Sequence, residues 1–209
     1  MSTLLRQKSL IFLLPFLLLY CSQMEPGVKP EGLMENSSML SKEGEPNSLV
    51  YYHYILAQLK SHDGDLEGTI DELRRTLSYD PRSASLHVEL AQWYIKKSLV
   101  NEAIEECREA LTINRDFVPA HFVLGGLYST LKKTPLAIEH YQEVLKIDPQ
   151  NEQTYLYLGS LYRESQQYDK AIEILKALID LSPNNIMGLY YLGRIHAEMK
   201  RFEESIGYY

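Results

Sequence analysis

From Val50 onward apolar residues recur three and four positions apart, and polar residues fill the gaps between them. Leu124, Leu127, Tyr128 and Leu131 form one such stripe, and Ile138, Tyr141, Val144 and Leu145 form the next after a short break. That spacing predicts pairs of amphipathic helices. The pattern restarts every 34 residues: Leu56, Leu90, Leu124, Leu158 and Leu192 fall in one column, each followed by Ala57, Ala91, Gly125, Gly159 or Gly193. A second column holds Thr69, Ala103, Ala137, Ala171 and Ser205, all small enough for two helix backbones to approach closely. Pro81, Pro149 and Pro183 close three of the units, where a residue without an N–H ends the preceding helix, and Arg115 takes that place in the other. Thr134 before Pro135, Asn101 with Glu102, and Asp169 are the expected polar starts of second helices.

One helix pair cannot bury both of its apolar faces, so such units are stable only when stacked. The expectation is an all-α solenoid. Its columns resemble the tetratricopeptide repeat, through the small residue after the core leucine, the alanine column of the second helix and the closing proline. The resemblance covers 50 to 209, with units starting at Val50, Ala84, Val118, Glu152 and, incomplete, Ile186. The family's aromatic late in the first helix is present as Tyr94, Tyr128 and Tyr162, while Lys60 and His196 replace it in the first and fifth units. Leu178 stands where a small residue is expected. Tyr209 falls inside the second helix of the fifth unit, which favours a fragment over an end covered by another molecule.

The resemblance implies a right-handed superhelix of antiparallel helix pairs whose first helices line a concave, partner-binding surface. Carried over by position, the inward residues are Tyr51, Tyr54 and Gln58, then Val88, Gln92 and Ile95, then Phe122, and finally Leu156, Ser160, Arg163, Tyr190 and Arg194. Aromatic and arginine side chains serve as binding anchors, so the implied ligand is a peptide or helix with apolar anchors. Tyr54 and Gln58 occupy positions where carboxylate-clamping repeats carry asparagine and lysine, which argues against that sub-class.

The formal charge of −7 becomes −9 without residues 1 to 20, whose charges are Arg6 and Lys8. An acidic surface opposes nucleic acid and anionic lipid as main partners. Glu102, Glu105, Glu106 and Glu109 read as a solvated second-helix face. Cys107 shares a column with Leu73, Tyr141 and Leu175 and is expected in the core, not in a disulfide with Cys21. His53, His87 and His121 recur at the repeat period, but packed helices hold equivalent points about 8–10 Å apart, too far for one zinc ion, so they are expected to pack. No phosphate loop, HExxH pair or nucleophile elbow occurs, so no catalysis, cofactor or small-molecule substrate is expected.

Residues 1–21 join Arg6 and Lys8 to the apolar run Leu10 to Tyr20, the layout of a secretory signal. About eleven helical residues reach roughly 16 Å, short of a bilayer. Leu18, Leu19, Tyr20 and Cys21 resemble the lipobox of bacterial lipoproteins, with Tyr20 in place of the usual small residue. That resemblance implies lipidation at Cys21, with an ordinary cleaved signal or an uncleaved short anchor as the alternatives, and Ser22 after it implies the outer membrane, facing the periplasm. Residues 22–47 are rich in Pro, Gly, Glu, Ser and Asn and are expected to form a disordered tether reaching about 30 Å before the array at 48–209. The sequon Asn36-Ser37-Ser38 is read as chance in such a leader. The functional expectation is a non-enzymatic scaffold that organises envelope proteins. Its rival is the substrate-recruiting arm of a longer enzyme, such as a protein O-glycosyltransferase, with its catalytic domain beyond Tyr209. The leader and the lack of a concave asparagine ladder weigh against that rival.

Overall fold

A computed structural model describes residues 46–208, and the leader, Cys21 and the tether as far as Glu45 lie outside the described residues. Ten helices follow in order: α1 Pro46–His62, α2 Leu66–Tyr79, α3 Ala84–Lys96, α4 Val100–Ile113, α5 Val118–Thr130, α6 Thr134–Ile147, α7 Glu152–Glu164, α8 Tyr168–Leu181, α9 Ile186–Glu198 and α10 Phe202–Ile206. There is no strand among the described residues. Helix α1 begins one turn before Val50, inside the segment assigned to the tether, while the next four first helices start at Ala84, Val118, Glu152 and Ile186 as the columns require. In the first four pairs the odd helix packs chiefly on the even helix after it, and each of these even helices also meets the next odd one. First helices also touch one another, α3 with α5 and α7 with α9, whereas second helices make no comparable mutual contact among the described residues. The row therefore bends toward its first helices.

The core runs along the array. Leu90, Leu124, Leu158 and Leu192 are at most 1% exposed, while Leu56 is only half-buried because no described unit precedes it. The same reason leaves Tyr52 and Leu59 exposed although Leu86 and Leu127, their counterparts in later units, are buried. In the third and fourth hairpins the glycine after the leucine meets a residue sixteen positions on, which fills the space. A Cβ on Gly125 would lie 2.7 Å from the Tyr141 ring, and one on Gly159 would lie 2.7 Å from Leu175. In the second unit Ala91 and Cys107 occupy the same places, both fully buried. Burial, then Glu106, pushes the Cys107 thiol up to about 12, so it remains protonated and inert. Leu178 is accommodated because Gly188 of the next unit lies beneath it: Leu178 Cδ2 is 3.1 Å from where a Cβ on Gly188 would be.

The helix starts correct one expectation. Thr134 is the first residue of α6, not its cap, and Asn101 and Asp169 also lie inside their helices; α4, α6 and α8 carry no side-chain cap. Their starts are set by a left-handed residue in the turn before: Ser98, Lys132 and Gln166, with Lys200 and Gly64 in the outer units, at φ 58° to 77°. The preceding helix closes on itself there, as Lys132 N–H donates to the Ser129 carbonyl and Lys133 N–H to the Tyr128 carbonyl. Side-chain caps occur at three first helices, where Ser83, Asn151 and Asn185 accept from the N–H groups of Leu86, Thr154 and Gly188, and at α2, where Asp65 accepts from Gly68 N–H; α5 has none.

Neighbouring units are joined by a repeated polar contact. Arg74 Nε donates to Tyr94 Oη at 2.8 Å, Arg108 to Tyr128 Oη at 3.1 Å, and Gln142 to Tyr162 Oη at 3.0 Å, always from a second helix to the next first helix. His196, in the tyrosine's place in the fifth unit, is buried with neither ring nitrogen partnered among the described residues, and it stacks on Tyr208.

Candidate partner-binding face

The inner side of the bend is built from first-helix residues one and two turns apart, which the repeat brings into register. In the first two units Tyr54, Gln58, Val88 and Gln92 come together with Glu89, Trp93 and Lys96 around one shallow cleft. Gln58 Nε2 donates to Glu89 Oε1 at 2.8 Å, and burial together with Glu89 raises the Tyr54 hydroxyl above its ordinary value. Val88 is 4% exposed and offers only its edge as floor. Tyr51, at 67% exposed, stands apart from this cleft. Lys96 sits over the Trp93 ring at 3.4 Å, covering that indole with a charge.

The middle of the array is different. Ile95, Phe122, Gly126, Ser129, Tyr141 and Tyr157 bound a largely apolar hollow of about 410 Å³. Phe122 meets Tyr141 edge-on at 5.8 Å, and Tyr157 stacks on Tyr141 at 5.4 Å with the rings 15° apart. Burial, then Tyr157, raises the Tyr141 hydroxyl further, keeping it neutral. The hollow exists because the third unit puts Gly126 where the others carry Gln58, Gln92, Ser160 and Arg194. Beyond it, Leu156 is half-buried, and Ser160 donates to Glu164 at 3.3 Å. Arg163 and Arg194 both bond Glu198, at 3.0 and 3.3 Å, so one carboxylate holds two guanidinium groups at that end. Arg163 Nε is buried without a partner among the described residues. Tyr190 is exposed beside Tyr191.

Tyr141, Tyr157 and Gly126 are the residues of this face that sequence positions alone did not select. Their signal was present: two consecutive glycines opposite a tyrosine in a column otherwise held by Leu73, Cys107 and Leu175. The periodic histidines lie on another side of the first helices. His53 Nδ1 pairs with Glu72 at 2.7 Å, His87 with Glu106 at 2.6 Å, and His121 with His140 at 2.9 Å. Each occupies a contact inside its own hairpin, nineteen residues apart, and no group of three metal-ligating side chains forms among the described residues.

A family model described as tetratricopeptide repeat matches residues 130–186, which include the end of α5, all of α6 to α8 and the turn into α9. The chain carries a tetratricopeptide-repeat array. Among solved structures, the crystal structure of MamA protein superposes with a TM-score of 0.70 at 22% identity, covering 78% of this chain and 88% of that one. MamA from Desulfovibrio magneticus gives 0.69 at 17% identity, covering 77% and 90%. YrrB, described as a tetratricopeptide protein with an unusual peptide-binding site, gives 0.65 at 17%, covering 83% and 87%. At these identities the likeness is one of fold. None of the curated proteins matches the chain. The tetratricopeptide array accounts for the left-handed turn residues, the tyrosine contacts and the inward bend as one repeated solution.

Proposed function

We propose that this protein is a non-enzymatic scaffold that captures other polypeptides through the inner face of its tetratricopeptide array. We further propose that it is tethered by a lipid on Cys21 to the outer membrane and organises an envelope protein complex in the periplasm. The observation that carries the first part is the hollow between Ile95, Phe122, Gly126 and Tyr157. Apolar walls, a floor without a side chain and a polar rim fit one aliphatic or aromatic anchor from a peptide or helix. The rings around it are already held by each other, so little side-chain freedom is lost on binding. YrrB, of the same fold, is described as binding peptide, which supports this reading. Support for the tether is the leader alone: a short apolar run ending at Leu18-Leu19-Tyr20-Cys21. Several acyl chains there anchor far better than one, at about 0.8 kcal/mol per buried methylene.

The test uses a photoreactive phenylalanine analogue in the full-length protein in cells, placed in turn at Ile95 in the hollow and at Glu105 on α4, with a palmitate analogue as a second label. Protein adducts from position 95 and not from 105, with palmitate incorporation abolished by Cys21→Ala, are expected. Adducts equal at both positions remove the binding face; palmitate labelling unchanged by Cys21→Ala removes the tether.

A further inference from the structure

One residue before Phe122 and one before Tyr141 lie the two histidines of the third unit, and their pairing departs from the pattern of the units before it. In the first and second units the first-helix histidine faces a carboxylate, Glu72 or Glu106. A carboxylate accepts an N–H from an imidazole whether the ring is neutral or charged. In the third unit His140 stands in the carboxylate's column, and its Nδ1 lies 2.9 Å from Nδ1 of His121. The network sets the proton between them. Nε2 of His121 is 3.0 Å from the Arg115 carbonyl, which can only accept, so Nε2 carries a proton and Nδ1 of the neutral ring is bare. His140 Nδ1 must therefore donate.

One proton thus bridges two bases. The groups facing His140 are His121 and Tyr128 from α5 and Arg108 from α4, with Glu139 and Glu143 on its own helix. The Tyr128 ring stacks on His140 at 5.5 Å and bonds Arg108, which holds a fixed positive charge nearby. We propose that the His121–His140 pair is an acid-sensitive joint that loosens α5 from α6 in mildly acidic medium, while the histidine–carboxylate joints of the first two units hold. Doubly protonated, the pair would set N–H against N–H and two like charges at bonding distance, with no carboxylate between them.

The sign follows from the surroundings. Burial first, then His121 and Arg108, hold His140 below the ordinary imidazole range, against the opposing pull of Glu139 and Glu143. The unfolded chain takes up the proton first, near pH ~6.5. The stability this joint contributes is present above that pH and is lost as pH falls through the lower folded value. Because α5 and α6 also carry Phe122 and Tyr141, loosening them disturbs the walls of the apolar hollow.

Thermal unfolding followed by helical circular dichroism, near pH 7.5 and near pH 5 on either side of the free imidazole's ~6.5, tests this on the wild type, His140→Gln and His140→Glu. Glutamine donates to His121 without titrating, and glutamate recreates the pairing of the first two units. The wild-type Tm is expected to fall on acidification by roughly 2–4 °C more than that of His140→Gln. His140→Glu should fall least or rise. The same acid shift in the wild type and His140→Gln overturns the proposal, and that comparison decides it even where His140→Glu fails to fold. Nitrogen NMR at neutral pH gives a second reading: His121 Nδ1 should be unprotonated, and a proton found there overturns the assignment. Neither readout involves a partner, so failure here is distinct from failure of the binding face.

Discussion

Gly125 and Gly126 are adjacent, both lie in α5, and the structure assigns them opposite responses to the same added methyl. A Cβ on Gly125 would lie 2.7 to 2.8 Å from three atoms of the Tyr141 ring. That ring is 2% exposed and held between Phe122 and Tyr157, so it has nowhere to swing. Overpacking of this kind costs about 1–3 kcal/mol, against roughly 1 kcal/mol gained when alanine replaces glycine in a helix. Gly125→Ala is therefore expected to destabilise, by up to about 2 kcal/mol. A Cβ on Gly126 meets only Tyr141 Oη at 3.6 Å, an ordinary contact. Gly126→Ala should then stabilise by about 0.5–1 kcal/mol, from propensity alone. Urea unfolding at constant m-value reads both. The second unit fills the same two places with Ala91 and Cys107, which offers a stricter check. Tyr141→Cys alone should cost about 3–5 kcal/mol, as large-to-small aromatic changes do. Combined with Gly125→Ala it should cost less than the sum of the two by about 1–2 kcal/mol, since the methyl now enters vacated space. Additive costs, or the same sign for both glycines, would refute the packing account.

The turns give two further expectations. Gln166 holds φ 58° at a position most cheaply filled by glycine, so Gln166→Gly should raise stability by about 0.5–1 kcal/mol in the same urea assay. Gly64, at φ 77° with open space around it, should lose about 1 kcal/mol as alanine, for conformational reasons alone.

How far the fold could be read beforehand follows from what each residue must satisfy. Leu90, Leu124, Leu158 and Leu192 had to be apolar and their neighbours small, because two helix backbones meet there, and such a demand leaves a column in the sequence. Second-helix starts were misplaced by a residue or two because Thr134 looks like a cap, while the chain there relies on the backbone of Lys132 in a left-handed turn, a conformation with no side-chain signature when the residue is not glycine. Helix position points to Phe122 and Ile95, which line the hollow, and gives no sign of Tyr141, which lines it too. That ring comes from a second helix and reaches the face only because Gly125 and Gly126 leave room. The histidine pairs were hidden for a similar reason: a separation of nineteen residues becomes a contact only once the geometry of the hairpin is known.

Partner capture as proposed stands or falls with an apolar anchor from another polypeptide entering the hollow over Gly126. Selection of a displayed random-peptide library against the wild type and against Gly126→Trp, whose indole fills that hollow, measures it most directly. Peptides sharing one aromatic or large aliphatic residue, enriched by the wild type and lost with Gly126→Trp while helicity is kept, are expected. Peptides retained equally by both proteins would contradict that proposal.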